Sequence, residues 1–384
     1  MGKYELKLNW DRIAEARDLV GRWQKGAAVE RTPYIYSVPA PDSKGWINGC
    51  MFGFGETAEN PDKAVEGQIA AMNWQSETFP DSDWMPIFHL FHLGEGVVAS
   101  MFGAIQKIDE FCPPFTKGRL LKRIEDVATL KERIDPDHDG WGPILKDNVL
   151  KFADATHGEV PVGVADHQSP YGCATKLLGN EALMLAMYDE PELVRRFLDL
   201  MVAATIDSVE AVKRWVGADL VCPNTSHPIP GEGDIIVWDD YVSVLTPALH
   251  SEFCAPANKQ LFDRYGRGHL HTCGPYFPGY IDACLACGPA TMDISAMRGM
   301  ARSRGDLLEF RRLTAQAGVR LRGGLGANPV HQNDASAAQP WDEAFLRSMA
   351  RDGLFFSDGG DADRGREVAA LCRSIPQEAA VGKI

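Results

Sequence analysis

His271 and Cys273 stand two residues apart at the end of a short apolar run, in the stretch Gly268-His269-Leu270-His271-Thr272-Cys273-Gly274-Pro275. On an extended strand, residues i and i+2 face the same side. An imidazole nitrogen and a thiolate placed that way could grip one borderline cation such as zinc. A closed zinc site needs four ligands and a catalytic one about three plus a water, so the pair is incomplete by itself. Without a metal, the same residues read as a strand entering a Gly-Pro turn with a buried cysteine.

Other residues able to do chemistry cluster where apolar runs end. Val164-Ala165 delivers Asp166, His167, Gln168 and Ser169, and the next run delivers Cys222, Asn224, Thr225, Ser226 and His227. Later runs deliver Asp293 with Ser295, Asn328, and Asp358 with Asp361. The segment Ile235-Ile236-Val237-Trp238 brings the paired carboxylates Asp239 and Asp240 to a helix expected to start near Thr246-Pro247. A single Asp in such a place is commonly a helix cap, and Asp239 is expected to satisfy backbone amides in this way. His89 and His92 share helical spacing but lie among aromatic and aliphatic neighbours, which favours packing over ligation. Trp74, Trp84, Phe88, Phe91 and Tyr171 are candidate apolar walls for a mid-sized organic substrate.

The elements that must position these residues alternate in type. Short apolar runs at 33–37, 161–166, 219–223, 268–271, 290–294, 319–323 and 354–357 read as strands. Between them lie longer amphipathic stretches. Glu190-Pro191-Glu192 opens one with acids and proline in the first turn, and Leu193, Phe197, Leu200, Met201 and Ile206 carry its apolar stripe to Gly217. A second runs from about Arg304 to Ala317, and Gly318 stops it. Strands separated by helices pair in parallel through right-handed crossovers. Seven or eight such units predict a single (β/α)8 TIM-type barrel over residues 1–384, with an N-terminal helical extension over 1–30. In such a barrel the chemistry sits where strands end.

Composition excludes several function classes. With 384 residues and 45% apolar content the chain can bury a large core. Its 39 Lys+Arg against 53 Asp+Glu leave a formal charge of -14, which opposes binding to a phosphate backbone, so no nucleic-acid partner is expected. The N-terminus is charged where a signal peptide needs apolar residues, and no run reaches the roughly 18 apolar residues of a membrane span. A cytoplasmic protein with no membrane partner is expected. Nine scattered cysteines fit reduced thiols better than a disulfide framework. Cys284 and Cys287, three apart on a helix ending at Gly288, read as core residues and not as half of a zinc site.

Three ordered sets of residues resemble the uroporphyrinogen decarboxylase superfamily. They are Trp238-Asp239-Asp240-Tyr241 with Leu245-Thr246-Pro247, Glu252-Phe253 and Pro256 ahead of His271-Thr272-Cys273-Gly274; Ser169-Pro170-Tyr171 with Leu178-Gly179-Asn180-Glu181 and Asp189-Glu190-Pro191-Glu192; and the turn Gly323-Gly324-Leu325-Gly326-Ala327-Asn328-Pro329. The resemblance runs from about Trp23 to Cys372 and implies the same single barrel. The decarboxylases proper carry an arginine-bearing segment near the first strand that grips substrate propionates. This chain has Thr32-Pro33-Tyr34-Ile35-Tyr36-Ser37-Val38-Pro39 there, without arginine.

The resemblance is closer to the zinc-dependent alkyl transferases of the superfamily, such as methylcobamide:coenzyme M methyltransferases. That branch implies zinc on His271 and Cys273, and transfer of a methyl or other alkyl group to a thiol or a methyl carrier. A corrinoid or folate methyl carrier, a corrinoid protein partner, a small-molecule substrate and a homodimer are implied with it. The branch has a cysteine near the last strand where this chain has Gly360, so the third ligand falls to Asp293, Asp358, Asp361 or Cys222 if metal is bound. Asp166, His167 and Asp240 are the candidate catalytic residues, and Tyr36, Asn224, His227 and Asn328 the candidate substrate contacts. The alternatives are a lyase or decarboxylase acting on a small carboxylated substrate, with Asp166 or Asp240 stabilising positive charge and His167 or His227 moving the proton, or a non-catalytic corrinoid- or tetrapyrrole-binding protein.

Overall fold

The computed structural model describes residues 4–37, 52–222, 234–272, 279–293, 304–323, 347, 354–359 and 362–377. Strands in chain order are β1 (Tyr34–Ser37), β2 (Gln106–Lys107), β3 (Phe115–Thr116), β4 (Asp234–Trp238), β5 (Arg267–His271), β6 (Thr291–Asp293), β7 (Arg320–Gly323) and β8 (Leu354–Gly359). Six of them form one sheet in the order β1-β8-β7-β6-β5-β4, with every pair parallel. β2 and β3 make a separate antiparallel ribbon. Strands without alternation, such as Ile235-Ile236-Val237, are buried on both faces, as parallel strands between helices must be. The protein is thus a helix-rich α/β fold, and no helix among the described residues is long and apolar enough to cross a membrane.

Two expectations change in detail. Asp234–Trp238 is a full strand, where the sequence predicts only a segment leading to a helix. The expected strand at 219–223 instead begins as a 3-10 turn, Ala218–Leu220, and among its described residues only Val221 bridges to Val162. Gly217 explains the change, because its φ of 92° turns the chain sharply out of the long helix before it can extend. The segment around Val162 is extended, with parallel bridges to Phe88 and Val221.

Register places the strand ends side by side. Trp238 sits opposite His271 and Tyr36 opposite Asp358. Backbone hydrogen bonds also link the extended segments to the sheet: Asp83 N–H donates to the Tyr34 carbonyl, and Ser169 N–H to the Trp238 carbonyl, each at 2.8 Å.

The helix Pro191–Val216 has proline in its first turn and buries Val194, Phe197, Leu198, Met201 and Val202. Leu193, Leu200 and Ile206 flank that stripe, packed against the core but only partly buried. Fully burying each such aliphatic chain stabilises the fold by about 1.5–3 kcal/mol. The first helix, Trp10–Gln24, buries Ile13, and its Ala16, Leu19, Val20 and Trp23 form a second cluster with Val29, Ile35 and Met85. The main-chain carbonyl of Trp23 takes a 2.6 Å hydrogen bond from Arg320 at the start of β7, so this helix packs beneath the beginnings of the strands.

Candidate functional site

Asp166 follows an apolar extended run, and the chain bends immediately after it. Gln168 has a φ of 59°, a left-handed conformation that is costly for a residue with a side chain and is favoured at functional sites. The bend lets the Gln168 N–H and side-chain amide both reach Asp166 Oδ1, at 3.1 and 3.3 Å. Ser169 then caps the next helix, its oxygen accepting from Gly172 N–H at 3.1 Å. Asp166 is 2% exposed. Burial pushes its carboxyl up to about 7, the Gln168 backbone bond opposes this, and the nearby Glu95 and Asp240 carboxylates push further upward.

Lys176 lies two helical turns beyond Ser169 and pairs with Glu95. Burial works against its charge, but Glu95, Tyr241 and Asp166 leave its proton more tightly held than usual. Glu95, Asp166, Asp240 and Lys176 are therefore one coupled corner with more acid than base. Asp240 opens a short 3-10 turn, Asp240–Ser243, and is half-buried, so two of the three candidate catalytic residues share this corner. His167 is 1% exposed, its Nδ1 lies 2.9 Å from the Gln168 carbonyl, and its buried Nε2 has no partner. Burial pushes its imidazole down to about 4, so it is neutral near pH 7.

His271 ends β5 half-exposed, with its ring centroid 4.1 Å from that of Trp238. Trp238 in turn faces Phe91 at 6.4 Å, so an aromatic wall runs from β5 toward the segment carrying Glu95. Of the other expected site residues, Cys273, Asn224, His227 and Asn328 lie outside the described residues, as do Asp361 and Gly360. For Tyr36, Asp293 and Asp358 only the backbone position is described, each near the end of its strand. Cys222 is half-buried after Val221.

Among the expected aromatic walls, Phe88 and Tyr171 are fully buried. Phe88 stacks on Phe152 at 4.1 Å, and Tyr171 donates to Asn180 Oδ1 at 3.0 Å. His89 and His92 are buried as their neighbours suggested. His92 Nε2 lies 2.9 Å from Asn148 Oδ1, the backbone of His89 is held by Gln68, and burial pushes the two imidazoles down to about 3 and about 4.

Asp239 departs from its expected capping role. It precedes the 3-10 turn, but its side chain makes no cap bond. Instead Oδ2 accepts from His250 Nε2 at 2.7 Å and from Asn258 Nδ2 at 2.6 Å, and Oδ1 accepts weakly from Ser169 at 3.4 Å. Cys287 lies alongside, 3.6 Å from Asn258 Nδ2, and burial together with Asp239 pushes its thiol well above the usual range. Ligand atoms of Asp239, His250 and Cys287 all lie within 4.8 Å of one another, so a buried Asp-His-Cys cluster able to hold a metal stands just behind β5. His250 escaped the sequence reading because it sits in a π-turn, His250–Cys254, where the extra residue breaks ordinary helical spacing.

Two comparisons fit this architecture. Among solved structures, a methyltransferase from Methanosarcina mazei superposes with a TM-score of 0.62, covering 93% of this chain and 98% of its own, at 14% sequence identity. That identity speaks for a shared fold alone. Among curated proteins, no relative matches by sequence. The family model for uroporphyrinogen decarboxylase (URO-D) matches residues 16–308, a span that begins within the first helix and includes Asp166, Asp240 and His271, and the chain belongs to that family.

Proposed function

We propose that the protein is an enzyme of the methyltransferase branch of its family, transferring a methyl or other alkyl group to a thiol or a methyl carrier. The observation that carries this reading is His271, half-exposed at the end of β5 against Trp238, in a chain whose fold follows a methyltransferase over nearly its whole length. In this reading the sheet closes into a single (β/α)8 barrel. The Asp83–Tyr34 and Ser169–Trp238 backbone bonds support closure, since they tie the segments between β1 and β4 to both strands.

His271 supplies an accessible imidazole, and with Cys273 it would hold zinc. Zinc there would lower a substrate thiol's pKa and keep its sulfur as a thiolate. Asp166 would hold or release a proton at its carboxyl, and Lys176 would balance Glu95. The acid surplus of the corner suits a neutral or cationic alkyl donor and repels a carboxylated one. A corrinoid protein as partner, a small-molecule substrate, a cytoplasmic setting and a homodimer complete the proposal.

The test mixes the purified protein with a methylated corrinoid and a small thiol, and follows loss of the cobalt–carbon absorbance. Transfer that falls at least about a hundredfold in His271→Ala and Cys273→Ala supports the reading; unchanged transfer in both refutes the metal pair. A lyase is the second reading, favoured by the carboxyl of Asp166, whose affinity for a proton is centred near neutrality. Release of carbon dioxide from small carboxylic acids, abolished by Asp166→Asn, would select it.

A further inference from the structure

Asp239 is a carboxylate at 0% exposure whose one ion-pair partner among the described residues is His250, also at 0%. Burying a charge is costly unless it is compensated. One observation points to an occupant: ligand atoms of Asp239, His250 and Cys287, all buried, lie within 4.8 Å of one another. Asn258 Oδ1 and His250 Nδ1 are buried without hydrogen-bond partners, and Asn258 is itself 0% exposed. An amide's oxygen and nitrogen are assigned from the bonds around them. Turned over, Asn258 would put its oxygen where Nδ2 now lies, 2.6 Å from Asp239 Oδ2 and 3.6 Å from Cys287 Sγ. Without a cation the amide donates to Asp239; with one, the turned oxygen serves as a ligand in place of the donor. The oxygen-to-sulfur edge of a tetrahedral zinc site, built from its usual bond lengths, is also about 3.6 Å.

We propose that Asp239, His250, Cys287 and the side-chain carbonyl of Asn258 form a closed four-ligand zinc site, separate from the His271–Cys273 pair. Zn2+ displaces the Cys287 proton, which leaves to solvent, the proton on His250 moves from Nε2 to the partnerless Nδ1, and one carboxylate plus one thiolate then neutralise the ion in a fully buried position. The contacts of 2.7 Å to His250 and 2.6 Å to Asn258 open by roughly 0.7 Å to reach the spacing of two ligands on one zinc. The site is structural: all four positions belong to the protein, and none is left for a substrate. It ties the end of β4, the π-turn helix and the end of the helix Tyr280–Leu285 together. Asp239 N–H also donates to the His271 carbonyl at 2.8 Å, so the cluster is joined to the end of β5.

The experiment uses the full chain carrying His271→Ala and Cys273→Ala, purified without chelator and dialysed against Zn2+. About one zinc per chain is expected to remain, to disappear on adding Cys287→Ser or His250→Gln, and to slow alkylation of Cys287, mapped by mass spectrometry, at least tenfold relative to metal-stripped protein. The alkylation arm uses only the folded double variant and decides the matter should the further variants fail to fold. Less than a tenth of an equivalent of zinc in the folded double variant, or Cys287 alkylation indifferent to Zn2+, overturns the proposal. A wild-type protein that loses all its zinc with His271 and Cys273 would sink this site and leave the transferase reading standing.

Discussion

Asp166 carries the sharpest consequences at the scale of single residues, because its carboxyl holds a proton up to about pH 7 in the fold and an ordinary carboxyl only to about 4. Between those values the folded chain binds a proton that the unfolded chain has lost, so stability falls as pH rises through this window. Three pH units correspond to at most about 4 kcal/mol. Asp166→Asn cannot ionise and escapes that loss. Wild-type stability in urea, relative to the variant, should therefore drop by more than about 1 kcal/mol between pH 5 and 8, and a constant difference would show that Asp166 ionises normally. Asp240→Asn removes a like charge, so the midpoint of any Asp166-dependent activity should move to lower pH, with stability changed by less than about 1 kcal/mol. An unmoved midpoint would separate the two carboxylates. Asp166, Asp240 and His271 were legible in the sequence because each follows an apolar run that ends a strand or an extended segment. Glu95 and Lys176 were not, since their pairing joins residues 81 apart.

Elements account for what sequence spacing missed. The sequence reading expects Asp239 to cap a turn because a lone Asp before a helix usually does, and nothing local shows that His250 and Asn258 will reach it first. His250 is brought round by a π-turn, and Asn258 by the regular helix Ala255–Tyr265 that follows. That helix lies hard against β5. A Cβ added at Gly268 would come within 1.9 Å of Phe262 Cδ1, and Phe262 is 4% exposed. Gly268→Ala should therefore destabilise the protein by about 1–3 kcal/mol, measured by urea unfolding, and Phe262→Leu in the same chain should recover part of the loss. Additive losses would mean that strand and helix part easily. The alternation of runs and helices made the parallel sheet legible, whereas Asp234–Trp238 falls outside that alternation, because the sequence between it and the run at 219–223 is rich in Pro and Gly and carries no helical pattern.

At the scale of the whole molecule, the chain is closed by contacts between its two ends. Trp23 Nε1 donates to Gln377 Oε1 at 2.8 Å, Thr32 donates to the Ile375 carbonyl at 2.8 Å, and Val29 and Gln377 exchange backbone bonds at 2.9 Å. β1 pairs with β8, so the same two ends also share the sheet. Asp83 reinforces the joint from the middle of the chain. Its side chain is 1% exposed, receives two bonds from Arg31 at 2.6 and 2.7 Å and one from Arg12 at 2.8 Å, and accepts from Tyr34 N–H at 2.9 Å. Contacts this distant in sequence form only after most of the chain is ordered, because loop closure must come first. They should stabilise the folded state more than they speed its formation. Removing the chain from Ser374 onward takes away the partners of Trp23, Val29 and Thr32 together. The truncated protein should lose several kcal/mol of stability, since it leaves buried donors unpaired, and should unfold faster with a folding rate little changed. It should also become open to proteolysis between Lys25 and Arg31, while Asp166 and Lys176 stay protected. Equal resistance to protease and equal unfolding rates in the two chains would show that the first helix is held by its apolar face alone.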